Sequence, residues 1–215
     1  MRVAHPQFRP RLLRLAVACA LAFAGCAGPK VRVPPRVDLR GWTGIGLITV
    51  HSTGPSNVEV RATQELMQAI HASQPGVALL ELGEQRRVLS KVGSHDLDPD
   101  AVRAIGARYG VDAILVAHLE LTEAKPKLRV STSLDALSAE ARIRGAFDAR
   151  LLRTSNGATV WTTGSHGSRS IAHLRAQRRS PVAFGAGDAE QAYVELVRSL
   201  VYEATHELRP TWQRR

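Results

Sequence analysis

The acidic run from Asp96 to Asp100 is the closest approach in this sequence to a metal-binding motif. A calcium loop places carboxylates at alternate positions, with a glycine at its sixth position and a glutamate at its twelfth. Counted from Asp96, those two positions hold Ala101 and Ala107. The run instead predicts the start of a helix, with Asp98 as the cap and Pro99 in the first turn.

Other reactive side chains lack the spacing of a catalytic centre. Ser165 and His166 are adjacent, but their surroundings do not have the glycine spacing of a nucleophile elbow. Gly185-Ala186-Gly187-Asp188 precedes a helix, yet Asp188 would repel an anion and suits a helix cap. No two histidines stand four residues apart, as they do on a zinc-binding helix. The sequence therefore predicts no catalytic residue, no metal and no cofactor.

The basic segment 168–179 points to a different chemistry, the binding of anions. We expect this segment to be a loop that exposes the guanidinium groups of Arg169, Arg175, Arg178 and Arg179. Guanidinium groups bind carboxylates and phosphates in forked pairs. The segment has no aromatic side chain to stack on bases, which argues against nucleic acid. It is either a contact for an acidic protein surface, a glycan or an anionic lipid, or a solvated loop.

The first 25 residues have the layout of a secretory signal peptide. Four arginines precede an apolar run, Leu15 to Ala24, which is too short to span a bilayer. The segment Phe23-Ala24-Gly25-Cys26 resembles the bacterial lipobox, with Phe23 where leucine is usual. The resemblance implies cleavage between Gly25 and Cys26 and a lipid on the Cys26 thiol. It also implies the outer membrane, because Ala27 follows the cysteine instead of aspartate.

Cleavage would change the meaning of the composition. The chain has 215 residues and a formal charge of +10, and the signal peptide removes four arginines and no acid. We therefore expect residues 1–25 to be lost and 26–40 to form a lipidated, proline-containing tether. A globular domain would span 41–209, and 210–215 would be a basic tail. The basic tether either lies near anionic headgroups or is a solvated linker.

The hydrophobic pattern of 41–209 predicts alternating strands and helices followed by a hairpin. Ala139 to Arg153 alternates between apolar side chains and a solvent-exposed face that carries Arg142, Arg144, Asp148 and Arg150. Ser155-Asn156-Gly157 predicts a turn. We expect an α/β (α+β) fold: a single mixed sheet with a C-terminal antiparallel hairpin and helices packed on it. The polar segments 123–137 and 167–186 are predicted to lie outside the strands.

Two segments of this domain resemble a periplasmic domain family. The segment 105–117 (IGARYGVDAILVA) resembles its helix-to-strand junction, and 143–161 resembles its hairpin, although Ala117 and the turn sequence depart from the usual pattern. The family includes the curli-secretion lipoprotein and the lipoprotein activators of peptidoglycan synthases. The resemblance implies structural roles for Asp112, Gly157 and Trp161.

These observations predict a non-enzymatic, lipid-anchored protein on the periplasmic side of the outer membrane. Its domain would bind another envelope protein, such as a cell-wall synthase or a secretion or assembly component. The alternative is a binding module for an anionic glycan or lipid through 168–179. A hydrolase whose reactive residues come from distant segments is a third hypothesis. The sequence does not predict an oligomeric state.

Overall fold

The structure is a computed structural model that describes residues 30–54, 56–130, 136–177, 180–186 and 189–214. At residues 56, 123–130, 136–141, 172–177, 180–186 and 189 only the backbone is described. The chain divides into a small unit, Met1–Pro34 with Pro210–Arg215, and a large unit, Pro35–Arg209. Each unit is considered by itself.

The large unit contains seven strands and four α-helices among its described residues. The strands are β2 Ile45–Ile48, β3 His51–Ser52, β4 Leu79–Gly83, β5 Ala113–Val130, β6 Ala136–Arg153, β7 Thr159–Gln177 and β8 Ser180–Ala186. The helices are α1 Ser56–Ser73, α2 Gln85–Lys91, α3 Pro99–Tyr109 and α4 Ala189–Ala204, with single 3₁₀ turns at Leu39–Gly41 and His206–Leu208. The described helices include none that is long and apolar enough to cross a bilayer.

The seven strands form one mixed sheet in the order β4-β2-β5-β6-β7-β8, and β3 pairs with β5. The pairs of β2 with β4 and β5 are parallel, and the pairs from β5 to β8 are antiparallel. The parallel part follows from the helical crossovers, and the antiparallel part follows from direct reversals of the chain. The predicted α+β class with a mixed sheet is therefore confirmed.

Helices cover both faces of the sheet, but to different extents. On one face α1 and α4 pack over β2, β5, β6 and β7, and the core there includes Leu66, Phe147 and Leu200. On the other face α2 and α3 form a smaller core that reaches Ile114, Val116 and Leu152 of the long strands. The second face is therefore covered at one end only.

Local signals for helix α3 and the β6–β7 turn are confirmed. The Asp98 side chain accepts a hydrogen bond from the Ala101 amide at 2.7 Å, and Gly110 ends the helix. Gly157 has φ of 71°, and a Cβ there would lie 2.5 Å from the Cβ of Pro99. Only glycine fits this position, since both the backbone angle and the close approach exclude a side chain.

The prediction that 123–137 and 167–186 lie outside the strands is wrong for most of their length. The backbone of β5 continues to Val130 and that of β6 begins at Ala136, with pairs such as Lys127 to Glu140. β7 continues to Gln177, where β8 follows. The backbones of these segments pair with neighbouring strands. Their polar composition alone therefore did not indicate that they form strands.

The described residues of the small unit include a two-stranded antiparallel ribbon. Its strands are β1 Lys30–Val33, from the predicted tether, and β9 Thr211–Arg214, from the predicted basic tail. Lys30 pairs with Arg214, and Val33 pairs with Thr211. This pairing could not be predicted from the sequence, because each strand is only four residues long and the two are far apart along the chain.

Candidate functional site

The face of the sheet opposite α1 and α4 carries a polar surface that none of the described helices covers. We call it the open face. It begins where the small core around Ile114 and Leu152 ends. Its residues are His118, Glu120 and Thr122 of β5, Arg142, Arg144, Ala146, Asp148 and Arg150 of β6, and Thr162, Gly164, His166, Ser168 and Ser170 of β7. All of them are exposed or half-buried.

The register of the three strands aligns these side chains in rows across the sheet. His118 lies opposite Asp148, which lies opposite Gly164. Two rows away, Thr122 lies opposite Arg144, which lies opposite Ser168. Directly opposed residues have Cβ atoms about 5 Å apart, so each row is a set of neighbours. The open face is therefore a continuous surface built from three strands.

The end of the open face nearest α2 and α3 mixes charges of both signs. His118 Nε2 lies 3.6 Å from Glu120 Oε1. The Asp148 carboxylate lies over Gly164, because a Cβ at 164 would be 2.8 Å from Asp148 Oδ1. Acidic and basic groups offset each other in this region, so it has little preference for either sign of ligand.

The other end of the open face is cationic. We define the cationic end as Thr122, Arg142, Arg144, Ser168 and Ser170. It contains the guanidinium groups of Arg142 and Arg144 beside the hydroxyl groups of Thr122, Ser168 and Ser170. Thr122 Oγ1 donates a hydrogen bond to the Arg144 carbonyl at 3.1 Å, which ties β5 to β6 at this point. Guanidinium groups next to hydroxyls are suited to carboxylates and phosphates.

Two histidines meet at the edge of the open face. The His51 and His118 ring centroids are 5.3 Å apart because β3 pairs with β5 in parallel. Each ring lies near one carboxylate, since His51 Nδ1 is 3.3 Å from Glu59 Oε1. The described part of the chain contains no group of three or more His, Cys, Asp or Glu placed to hold a metal ion.

Ser165 and His166, adjacent in sequence, lie on opposite faces of β7. Ser165 Oγ donates a hydrogen bond to the Leu200 carbonyl of α4 at 2.8 Å. His166 is exposed on the open face opposite Ala146. The alternation of a strand separates the two side chains, so they form no nucleophile–base pair.

Of the four predicted anion-binding arginines the structure describes two, Arg169 and Arg175, and both belong to strand β7. Arg169 is an exposed residue of β7 opposite Ile143, whose side chain is buried under α4, so it lies on the helix side of the sheet. Arg175 also belongs to β7, paired with Ser138 and Ala183. Six residues of strand separate Arg169 and Arg175 by about 20 Å. Arg178 and Arg179 lie outside the described residues.

The sequence pattern identified only part of the open face. The alternation of β6 revealed Arg142, Arg144 and Arg150. The part of β7 beyond Ser165 was missed, because Gly167 and Arg169, which lie on its helix side, are small or polar. Thr163 Oγ1 donates to the Ala204 carbonyl at 2.9 Å, and a Cβ at Gly167 would lie 3.4 Å from Leu196 Cδ1. A strand that packs closely against a helix in this way has no hydrophobic alternation to detect.

A groove lies between α1 and α4. It has a volume of about 240 Å³, with an apolar floor of Val58, Tyr193, Val194 and Val197. Asn57, Arg61 and Glu190 form its rim. Pockets that enclose ligands are typically about 300–1,000 Å³. The groove is smaller than that, and the open face is the stronger candidate for a binding surface.

The motif residues that carry the family resemblance join the elements of the fold. Asp112 accepts hydrogen bonds from the backbone amide of Thr43, at 2.8 Å, and from the Thr43 hydroxyl. These bonds lower the pKa of Asp112 below its ordinary value of 3.8. They connect the start of β5 to the segment that leads into β2. The role of Asp112 is therefore positional.

Gly106 and Trp161 also act through packing. A Cβ at Gly106 would lie 2.3 Å from the Cβ of Thr154, so α3 touches the end of β6 here. Trp161 is buried, and its Nε1 donates a hydrogen bond to Glu207 Oε2 at 2.9 Å. Glu207 pairs in turn with Arg36 at 2.6 Å. None of these contacts involves the open face.

No protein-family model and no curated protein sequence matches the chain. The PelC dodecamer of Paraburkholderia phytofirmans is 14% identical, with a TM-score of 0.43, and the match covers 85% of this chain and 97% of that chain. Lipoprotein GNA1162 of Neisseria meningitidis is 16% identical, with a TM-score of 0.32, and the match covers 73% of this chain and 92% of that chain. The LpoB C-terminal domain of Salmonella enterica is 13% identical, with a TM-score of 0.34, and the match covers 58% of this chain and 81% of that chain.

Proposed function

We propose that this protein is a non-enzymatic, lipid-anchored component of the cell envelope that faces the periplasm from the outer membrane. Its large unit binds an acidic surface of another envelope protein through the cationic end of the open face. The partner is a cell-wall synthase or a secretion or assembly component. The observation that carries the proposal is the pair Arg142 and Arg144, set among hydroxyls on a sheet surface that no described helix covers.

The anchor in this proposal is Cys26. The supporting observation is the sequence, in which a basic segment, a short apolar run and the residues Ala24-Gly25-Cys26 follow one another. Cys19 precedes the cleavage point, so Cys26 is the one cysteine of the cleaved chain. Lipid on this thiol would hold the protein at a membrane without a spanning helix.

The cationic end suits an acidic partner because its scaffold is rigid. β6 is paired along its length on both sides, with β5 and with β7. Phe147 and Ile143, which alternate with the arginines, are fully buried under α1 and α4. The backbone that carries the guanidinium groups is therefore fixed before a partner arrives. A preorganised surface loses less conformational entropy on binding than a mobile loop.

Capture of partners from native membranes tests this proposal. The lipidated full chain would be purified from its own membranes beside an Arg142→Gln/Arg144→Gln variant. Arg86→Gln/Arg108→Gln is the matched control, because it removes two exposed positive charges from α2 and α3. We expect a defined envelope protein with the wild type and the control, and its loss from the open-face variant. Equal recovery by all three proteins would contradict the proposal.

An anionic glycan or lipid is the second candidate ligand, and the spacing of the β6 arginines favours a polymeric form. Arg142 and Arg144 are about 7 Å apart along the strand, and Arg150 follows about 20 Å further on. A polymer with repeated carboxylates or phosphates could follow this line. Co-sedimentation of the protein with purified cell-wall sacculi distinguishes the candidates. Retention by sacculi, lost in Arg142→Gln/Arg144→Gln, would favour the glycan over the protein partner.

A further inference from the structure

We propose that the β1–β9 ribbon binds the surface of an anionic phospholipid bilayer and forms a second membrane contact beside the lipid anchor. The position of this contact rests on the proposed lipidation of Cys26. The affinity of the ribbon for a bilayer is a property of its own residues. The two claims are therefore separable by experiment.

The register of the ribbon sorts its side chains onto two faces. Arg32 lies opposite Trp212, and Lys30 lies opposite Arg214. Opposed residues, and those two positions apart on one strand, share a face. One face of the ribbon therefore carries a tryptophan and three cations, and no acidic residue. The other face carries Val31, Val33, Thr211 and Gln213.

The side chains of the cationic face are available to a ligand. Trp212 is 65% exposed, which is unusual for so large an apolar side chain. Lys30, Arg32 and Arg214 are also exposed. None of the three takes part in an ion pair within the described residues. Tryptophan favours the headgroup region of bilayers, and cations near it are attracted by anionic lipids.

The covalent chain places this face close to the proposed anchor. Lys30 is four residues after Cys26. Four residues span at most about 14 Å when fully extended. A diacylglycerol on Cys26 would therefore keep the start of β1 within the reach of the headgroup layer. Antiparallel pairing then brings Arg214, from the other end of the chain, beside Lys30.

The charge and composition of the ribbon favour a bilayer over an acidic protein as its ligand. Its cationic face combines three cations with an exposed tryptophan, the side-chain types that favour the headgroup layer of an anionic membrane. Each cation near an anionic membrane surface strengthens binding by about fivefold. Removing two of them should therefore weaken binding on the order of 30-fold.

Vesicle binding by the full mature chain with Cys26→Ser tests the ribbon without the acyl chains. The vesicles are phosphatidylethanolamine with phosphatidylglycerol, and phosphatidylcholine vesicles are the uncharged comparison. We expect co-sedimentation with the anionic vesicles only. Arg32→Ser/Arg214→Ser should bind about 30-fold more weakly. The controls Arg86→Ser/Arg108→Ser, in the large unit, and Gln213→Ala, on the other face of the ribbon, should bind like the parent.

Tryptophan fluorescence supplies a second measurement that reports insertion. Lipids with brominated acyl chains should quench part of the emission, and Trp212→Phe should abolish that quenching. The tryptophans outside the ribbon, Trp42 and Trp161, both lie in the large unit, half-buried and buried, and give a constant background. Unquenched emission, unchanged binding by Arg32→Ser/Arg214→Ser, or equal binding to phosphatidylcholine would each overturn the ribbon contact. Thermal unfolding of each variant confirms that these exposed substitutions leave the fold intact.

Palmitate labelling of the wild type in cells separates this inference from the proposed function. Labelled Cys26 with unquenched Trp212 would remove the ribbon contact and leave the anchor. Unlabelled Cys26 with quenched Trp212 would remove the anchor, and the ribbon would remain a membrane-binding element.

Discussion

On β6, Ile143, Phe147 and Leu151 are buried under α1 and α4, whereas Arg142, Arg144 and Arg150 alternate with them and are exposed. The same strand thus contributes to a dry core on one face and to a polar surface on the other. Pairing with β5 and β7 fixes both sets at once. The covered face determines stability, and the open face is free to carry a binding role.

The covered face should dominate the stability of the fold. Phe147 is fully buried among residues of α1, α4 and the neighbouring strands. Replacing Phe147 with Ala should lower the free energy of unfolding by about 3–5 kcal/mol, because a large cavity remains. Urea unfolding of the two proteins measures the difference. Phe147→Leu is the control and should cost less than about 1.5 kcal/mol, since it keeps most of the volume.

The contact between α3 and the end of β6, on the second face of the sheet, should be sensitive to an added methyl group. A Cβ at Gly106 would collide with the side chain of Thr154, the residue that follows β6, so Gly106→Ala must displace α3 from the end of β6. We expect a loss of about 1–3 kcal/mol in the free energy of unfolding. Gly41→Ala is the matched control, because a Cβ there meets nothing within 4 Å. Equal losses in the two variants would show that α3 and β6 do not pack this closely.

Phe147 and Gly106 illustrate which features of the fold can be predicted from the sequence. Phe147 belongs to an alternating pattern, so its burial could be predicted. The reason for a glycine at 106 could not, because it depends on contact with Thr154, which lies far along the chain. The same limit explains the missed part of β7, where Ser165 and Gly167 face α4. Patterns reveal which face is apolar, but close approach between elements appears only in three dimensions.

The candidate sites show the same division. The exposed arginines of β6 followed from alternation, yet their neighbours Ser168 and Ser170 required the register of β7. The cationic face of the ribbon required the pairing of Arg32 with Trp212, two residues separated by nearly the whole domain. The arginine-rich composition of 168–179 predicted an anion-binding loop, but Arg169 lies in β7 on the helix side of the sheet.

The junction between β2 and β5 should make stability depend on pH. Hydrogen bonds from Thr43 lower the pKa of Asp112, so its ionised form is favoured in the folded state. This contribution is present above the unfolded-state value, near 3.8, and is lost as pH falls through the lowered folded-state pKa.

The measurement is the melting temperature of the wild type and Asp112→Asn from pH of about 6 to about 3. The wild type should be the more stable at the upper end, and the difference should shrink toward the lower end. Asp96→Asn is the control, because Asp96 makes no hydrogen bond among the described contacts. A difference that stays constant with pH would mean that ionised Asp112 does not stabilise the fold.

Substitutions on the open face should have the smallest effect on stability. Arg142 and Arg144 are exposed, and substitutions at exposed positions usually change the free energy of unfolding by less than about 0.5 kcal/mol each. Arg142→Gln/Arg144→Gln should therefore unfold within about 1 kcal/mol of the wild type, as should Arg86→Gln/Arg108→Gln. Urea unfolding measures both variants on the protein used for partner capture.

The two measurements together decide what the arginines do. Lost partner capture with unchanged stability means that the guanidinium groups act in recognition, because the scaffold beneath them is intact. A loss of more than about 2 kcal/mol would instead mean that cross-strand contacts of Arg142 and Arg144 hold β6 to its neighbours. Reduced capture would then be a consequence of a weakened sheet, and the open face would have the same structural role as the covered one.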